Sequence, residues 1–76
     1  MNNFKDYKDF ITTIGRRIKE RRKELGWSIT ELSRRAGISK SFLYGIEAGK
    51  VNMSVDTLFS LKYALNVSYQ YIFSKD

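Results

Sequence analysis

Four hydrogen-bonding side chains cluster where a predicted helix begins, in the segment SKSFLYGIEAG. They lie at the start and on one side of that helix: Ser39, Lys40, Ser41 and Tyr44. A lysine ammonium donates hydrogen bonds to guanine O6 and N7, and a serine hydroxyl donates or accepts. Because recognition helices present their N-terminal residues to base edges, this pattern favours contact with DNA bases. The alternative is an exposed polar face that has no partner.

A second group of residues lies at predicted helix starts and in loops, where free backbone N–H groups bind phosphate. Ser28 and Ile29 begin the preceding helix, and Lys50, Asn52 and Ser54 flank the following one. Three arginines on outer helix faces extend this group: Arg17, Arg34 and Arg35. For each arginine, a phosphate contact and a solvated charge are equally good interpretations.

The charge of the chain is concentrated around these residues. The 76 residues carry a net charge of +6, from 14 Lys and Arg against 8 Asp and Glu. The segments 1–10 and 51–76 are each neutral overall, so the whole excess lies in 11–50. This distribution favours a polyanion as partner, and a basic face that only maintains solubility is the alternative.

The composition excludes several classes of protein. The chain has no cysteine and no histidine, which removes disulfide frameworks, zinc fingers, and Ser-His or Cys-His catalysis. The carboxylates are scattered at no catalytic spacing, so we expect neither an enzyme nor a bound cofactor or metal. No apolar run approaches the roughly 20 residues that span a bilayer, and the N-terminus lacks a secretory signal. We therefore expect a cytoplasmic protein that does not bind membranes.

Apolar spacing and capping residues predict five helices and no strand, which is an all-α domain. The first helix begins near Phe4 or Phe10 and ends before Gly26. Serines at good N-cap positions begin the other four helices: Ser28, Ser39, Ser54 and Ser68. In the fourth helix, one set of residues is predicted to face inward: Val55, Leu58, Leu61 and Leu65.

The chain is predicted to form one domain with a short extension at each end. No proline, internal repeat or low-complexity run marks a linker. The N-terminal extension, which continues into the first helix, covers 1–12, the domain covers 13–73, and the tail covers 74–76. Aromatic residues of the N-terminal extension either lengthen the first helix and pack over the domain or form an arm: Phe4, Tyr7 and Phe10.

The segment SITELSRRAGISKSFLYGIEAG contains two of these helices joined by a turn at Gly37. Together with the later signals S-x-x-T-L and ALNVS, it resembles the Cro/repressor-type (XRE) helix-turn-helix family over roughly 13–73. Within that family the chain is similar to small single-domain regulators, such as restriction–modification controller proteins and Bacillus-type biofilm and sporulation repressors. The resemblance implies a compact five-helix, lambda-repressor-like fold with the helix-turn-helix as helices 2 and 3.

The resemblance also implies roles for individual residues. In the family, the positions of Arg22 and Glu47 form an ion pair between the first and third helices; the alternative is an exposed Arg22. The aromatic position of Phe42 can lie against the DNA backbone, although a place at the edge of the core is the alternative. A glutamine is usual where this chain has Ile29, so only the backbone N–H is expected to contact phosphate there.

The C-terminal aromatic residues are too numerous for one helical turn to bury in a chain of this size. Family members with this layout dimerise through their fourth and fifth helices, which makes the expected interface Tyr63, Tyr69, Tyr71 and Phe73. Two recognition helices in register would then bind an inverted repeat. The alternative is a monomer with a few surface aromatics.

The leading hypothesis is a transcriptional regulator that binds double-stranded DNA sequence-specifically, as a homodimer on an inverted-repeat operator. Control of a restriction–modification system is one form of it. RNA polymerase and an antirepressor-type protein are candidate further partners. The alternative is an interaction module or antitoxin-like protein whose main partner is another protein.

Overall fold

The computed structural model describes residues 4–75, and within that range the regular structure is entirely α-helical. Five helices follow one another along the chain: α1 Tyr7–Glu24, α2 Ile29–Ala36, α3 Lys40–Glu47, α4 Val55–Leu65 and α5 Tyr69–Ile72. The predicted all-α architecture with α2 and α3 as the helix-turn-helix is confirmed. Residues 1–3 and 76, at the ends of the predicted extension and tail, lie outside the described residues.

The helices begin at side chains that accept a hydrogen bond from the amide three residues further on. Ser28 accepts from the N–H of Glu31 and Ser39 from that of Phe42, both at 3.0 Å. Asp6, Ser54 and Ser68 cap the other three helices in the same way. Each such cap contributes about 1 kcal/mol. Gly37 separates α2 from α3 with a φ of +72°, a left-handed conformation that a residue without Cβ adopts readily.

The core is formed by residues of all five helices. α1 packs against α3, α4 and α5, while α2 packs against α3 and α4. The core contains the almost fully buried aliphatic side chains Ile14, Ile18, Leu32, Leu43, Ile46, Leu61, Leu65 and Ile72. Burial of an aliphatic side chain of this size contributes about 1.5–3 kcal/mol. α2 and α3 are therefore held as one body with α1.

α1 and α3 lie very close together at Gly15. A Cβ atom at Gly15 would lie 2.1 Å from the carbonyl oxygen of Ile46 and 2.9 Å from that of Glu47. Near the other end of this contact, a Cβ atom at Gly49 would lie 2.8 Å from the Cα of Thr12. The backbones of the two elements thus touch directly, which fixes the position of α3.

The first turn of α4 differs from the sequence prediction. Leu61 and Leu65 are buried, but Val55 is 81% exposed, so the prediction that it faces inward is wrong. At about 100° per residue, Val55 lies roughly 120° round the helix from Leu61. The same side of the helix carries Phe59 and Tyr63, which are also exposed.

The N-terminal extension packs over the C-terminal end of the domain. The ring of Phe10 lies between those of Phe4 and Phe73, with centroid distances of 5.0 and 5.6 Å. The Lys75 ammonium donates to the Asp9 carboxylate at 2.8 Å. Of the two alternatives, the structure favours a lengthened first helix over a separate arm.

Asp9 should make the stability of the fold depend on pH. The hydrogen bond from Lys75 holds the pKa of the Asp9 carboxyl below its ordinary value of 3.8. A carboxyl whose pKa falls on folding stabilises the protein above its unfolded-state pKa, and this contribution is lost as pH falls through the folded-state value. Asp9→Asn should therefore lower the urea midpoint at about pH 7 but not at about pH 2. Urea titrations of both proteins measure this, and an equal difference at the two pH values would contradict it.

Candidate nucleic-acid interface

α3 presents an exposed polar face opposite the core. Leu43 and Ile46 are buried on its inner side. The recognition surface consists of four exposed residues at and after the helix start: Ser39, Lys40, Ser41 and Tyr44. At about 100° per residue, the last three lie within an arc of about 100°. Within residues 4–75 these three side chains make no hydrogen bond or ion pair, so their polar groups are available to an external partner.

Ser39 of the recognition surface and two residues beside it, Phe42 and Ile29, also contribute to the fold. Because Ser39 Oγ accepts the capping bond from Phe42, its hydroxyl proton remains available for a base or a phosphate. The side chains of Phe42 and Ile29 are half-buried and pack against the core. This favours the core-edge interpretation of Phe42, and it leaves the backbone N–H of Ile29, in the first turn of α2, as the group open to a phosphate.

Arg22 and Glu47 join α1 to the C-terminal end of α3. Nε and Nη2 of Arg22 donate to the two carboxylate oxygens of Glu47 at 2.7 and 3.0 Å, and Nη1 donates to the carbonyl of Trp27 at 2.8 Å. The two side chains are 9% and 6% exposed. The hydrogen bond to Glu47 raises the pKa of Arg22 above its ordinary value. A two-point bond of this kind fixes direction as well as distance, so it orients the recognition surface relative to α1.

The N-termini of α2 and α4 differ in their electrostatics. The carboxylate of Glu31, near the Ser28 cap, is neutralised by the two arginines that follow it, which lower its pKa. At α4, the hydroxyl of Ser54 hydrogen-bonds to Asp56 and holds the pKa of that carboxyl below its ordinary value. Within residues 4–75 the Asp56 carboxylate forms no ion pair, so it opposes a second anion beside Ser54. An anion is therefore opposed less at the start of α2 than at the start of α4.

Arg34 and Arg35 are both paired with Glu31. Arg34 is exposed and donates to that carboxylate at 2.6 Å. Arg35 lies over the ring of Trp27, 4.2 Å from its centroid, and lines a surface groove with residues 62–64 and 66–67 at the end of α4. Arg35 therefore lies on the side of α2 that faces the end of α4, and its contact with phosphate stays a prediction.

Arg17 and Tyr71 contact each other where α1 packs against α5. Nε of Arg17 donates to the carbonyl of Tyr71 at 3.0 Å, and the guanidinium lies 3.9 Å from the Tyr71 ring centroid. Arg17 lies about 200° round α1 from Gly15, on the side away from α3. Tyr71 is half-buried, and burial raises its pKa. In the structure Arg17 contacts α5, and Tyr71 is half-buried rather than fully exposed. A phosphate contact of Arg17 and an interface contact of Tyr71 stay predictions.

The loop between α3 and α4 is attached to both α3 and α1. The N–H of Lys50 donates to the carbonyl of Gly45 at 2.9 Å, and the Val51 side chain covers Gly45. The Lys50 side chain is exposed. Asn52 is exposed too, and its Oδ1 accepts a hydrogen bond from the hydroxyl of Tyr7 at 2.7 Å. No sequence signal indicated this bond, because 45 residues separate its two partners.

An exposed apolar face runs along α4. The rings of Phe59 and Tyr63 are 52% and 77% exposed and stack on each other with centroids 6.1 Å apart. With Val55 they define the exposed α4 face. Sequence reasoning missed Phe59, although the spacing of four residues between 55, 59 and 63 is a signal that could have found it. Of the other predicted interface residues, Tyr69 is exposed and stacks on the half-buried Phe73 at 5.9 Å.

The comparisons with known proteins agree with this geometry. Residues 18–72 match the Helix-turn-helix family (HTH_3). The chain belongs to this family of XRE-type, DNA-binding proteins. It is 45% identical over 56 residues to SinR of Bacillus subtilis (strain 168), an HTH-type transcriptional regulator. That alignment covers 72% of this chain and 50% of SinR, so the chain spans about half the length of that relative.

Solved structures of family members share the fold. The restriction–modification controller protein C.AhdI from Aeromonas hydrophila superposes with a TM-score of 0.79 at 28% identity, covering 83% of this chain and 96% of C.AhdI. SinR in complex with DNA gives a TM-score of 0.73 at 40% identity, covering 80% of this chain and 98% of the SinR chain. In residues 4–75, no group of three or more His, Cys, Asp or Glu side chains could hold a metal ion, and no helix is long and apolar enough to cross a membrane.

Proposed function

We propose that this protein is a transcriptional regulator that binds double-stranded DNA sequence-specifically, as a homodimer on an inverted-repeat operator. The observation that carries the proposal is the recognition surface, because its Lys40, Ser41 and Tyr44 side chains are exposed and unpaired on a helix that the buried Arg22–Glu47 pair holds in place. The DNA complex of SinR supports DNA as the partner. The similarity to C.AhdI supports control of a restriction–modification system as one biological setting.

The residues divide between base and backbone contacts. Lys40 donates to O6 and N7 of a guanine, Ser41 bonds a neighbouring base, and Tyr44 contacts a thymine methyl or the backbone. The first-turn N–H groups of α2, behind Ser28, bind one phosphate. The side chains of Lys50, Asn52 and Arg34 add further contacts or positive charge along the backbone, with no information about sequence.

The exposed α4 face is the proposed dimer interface, together with Tyr69. Stacked, exposed aromatic rings on a small domain are typical of a surface that is covered by a partner. A two-fold dimer uses the same patch on both copies, which suits one continuous helix face. The two recognition helices would then bind half-sites about 34–36 Å apart, one helical turn of DNA.

Selection from a random-sequence duplex pool at near-physiological salt tests the proposal, with sequencing of the bound DNA. An inverted repeat with half-sites one helical turn apart is the expected result. If salt-sensitive binding persists without any enriched motif, the protein is a non-specific binder or takes its specificity from a protein partner, and the proposal fails.

Two lysine substitutions should separate base recognition from backbone binding. Lys40→Ala should reduce discrimination at one base position by about 1–3 kcal/mol. Lys50→Ala should weaken binding to selected and random duplexes alike and reduce the slope of log affinity against log salt by about one. Fluorescence anisotropy with both duplexes over a salt series measures these effects. Equal losses on both duplexes for Lys40→Ala would contradict its assignment to a base.

A further inference from the structure

Asn52 lies between two anchored points of the loop that joins α3 to α4. On one side, the N–H of Lys50 bonds to the carbonyl of Gly45, and on the other, Ser54 caps α4. The Asn52 side chain itself is exposed, and within residues 4–75 its hydrogen-bond partner is the Tyr7 hydroxyl, at 2.7 Å. The loop geometry therefore fixes the position of the Asn52 backbone, and the hydrogen bond from Tyr7 sets the orientation of the Asn52 side-chain amide.

Tyr7 is 56% exposed, and its backbone is anchored at the start of α1. It stands in the first turn of α1, which Asp6 caps by accepting from the N–H of Asp9 at 2.9 Å. Its ring lies 6.3 Å from that of Phe10, which in turn packs on Phe73 at the other end of the domain. The hydroxyl group is thus presented to the loop by a helix that the aromatic cluster fixes in place.

The direction of the hydrogen bond from Tyr7 to Asn52 matters, because the two ends of a side-chain amide have different hydrogen-bonding chemistry. An asparagine side chain has a carbonyl oxygen that accepts and an NH₂ group that donates. A phosphate oxygen only accepts, so it requires the NH₂ group. With Oδ1 occupied by the Tyr7 hydroxyl proton, both Nδ2 protons are left for an external acceptor.

From this geometry we propose that Tyr7 is a positioning residue for DNA-backbone binding by Asn52. The inference rests on the proposed function and deepens it. Tyr7 itself does not touch DNA; it turns the Asn52 amide so that its NH₂ group meets a phosphate oxygen beside the recognition helix. The matched family region begins at residue 18, so the positioning residue lies outside it, whereas Asn52 lies within it.

Tyr7→Phe removes the hydroxyl and keeps the ring. We expect its affinity for DNA to fall about two- to tenfold, the effect of one hydrogen bond. The loss should be equal on the selected duplex and on a random-sequence duplex, because a backbone contact carries no sequence information. The salt slope should stay unchanged, because the lost contact is neutral and releases no counterion.

A double-mutant cycle with Asn52→Ala separates positioning from a general loss of structure. Asn52→Ala should weaken binding at least as much as Tyr7→Phe, and Tyr7→Phe should cause no further loss in the Asn52→Ala background. Asp9→Asn is the control, because it loosens the same segment at its ion pair with Lys75 and leaves the Tyr7 hydroxyl in place. Its affinity for DNA should not fall, because the substitution removes a negative charge and no DNA contact.

Three results would overturn the inference: unchanged binding by either Tyr7→Phe or Asn52→Ala, additive losses in the double variant, or an equal loss in Asp9→Asn. Measurements on random-sequence duplexes test the Asn52 contact independently of the proposed function. Failure to enrich any motif overturns sequence-specific regulation, while the backbone contact of Asn52 is still decided by the cycle on random DNA.

Discussion

Gly15→Ala should lower the free energy of unfolding by about 3 kcal/mol, at the upper end of the cost of overpacking a core. The added methyl group would lie 2.1 Å from the carbonyl oxygen of Ile46, and this oxygen belongs to the backbone of α3 and cannot rotate away. α1 and α3 must therefore separate. In an ordinary helix interior the same substitution stabilises by about 1 kcal/mol, so even the sign of the effect tests the contact. Urea unfolding followed by circular dichroism measures it.

Gly26→Ala is the matched control for this experiment. Gly26 has a left-handed φ of +74°, and nothing lies within 4 Å of a Cβ atom built there. Its replacement should cost about 1–2 kcal/mol through backbone strain alone. DNA affinity measured below the unfolding transition should fall for Gly15→Ala and stay unchanged for Gly26→Ala. A Gly15→Ala protein as stable as the unsubstituted one would rule out the close approach of α1 and α3.

Arg22→Met should lower the free energy of unfolding by about 3–5 kcal/mol, the cost of leaving one partner of a buried ion pair without the other. Glu47 would remain 6% exposed with both carboxylate oxygens unpaired, and the carbonyl of Trp27 would lose its donor. Replacing both partners, as Arg22→Met with Glu47→Leu, should recover most of the loss, because no buried charge then remains. Urea unfolding of the two single variants and the double variant measures the coupling.

Arg16→Met provides the comparison for Arg22→Met. Arg16 forms an ion pair with Glu20 at 2.9 Å, but both side chains are more than 40% exposed. Such a surface pair contributes about 0–1 kcal/mol. If Arg22→Met and Arg16→Met destabilise equally, the Arg22–Glu47 pair does not hold α3 against α1.

Most of the fold could be predicted from local features of the sequence. Serine caps mark the starts of four helices, and the turn at Gly37 is visible in the sequence because the residues that adopt such conformations are few. The spacing of apolar residues predicted five helices and no strand. These signals act within a few residues of each other, so they can be read without knowledge of the tertiary structure.

The partners of long, exposed side chains could not be predicted in this way. From their charge, Arg17 and Arg35 could be interpreted only as phosphate contacts or solvated charges, whereas in the structure they contact Tyr71 and Trp27. The bond between Tyr7 and Asn52 also depends on where α1 passes the loop. In α4 apolar residues occur on both sides, so periodicity alone did not separate the buried side from that of Val55. Each of these features is fixed by contacts between distant segments.

The residues that hold α3 in place are not the residues that it exposes. Gly15 and the Arg22–Glu47 pair fix the helix from behind, whereas Lys40, Ser41 and Tyr44 make no hydrogen bond or ion pair within residues 4–75. Substitutions at such surface positions usually change stability by less than about 0.5 kcal/mol. Descendants of this sequence can therefore alter what α3 binds without losing their fold, and a library randomised at those three positions would explore new specificities on an unchanged domain.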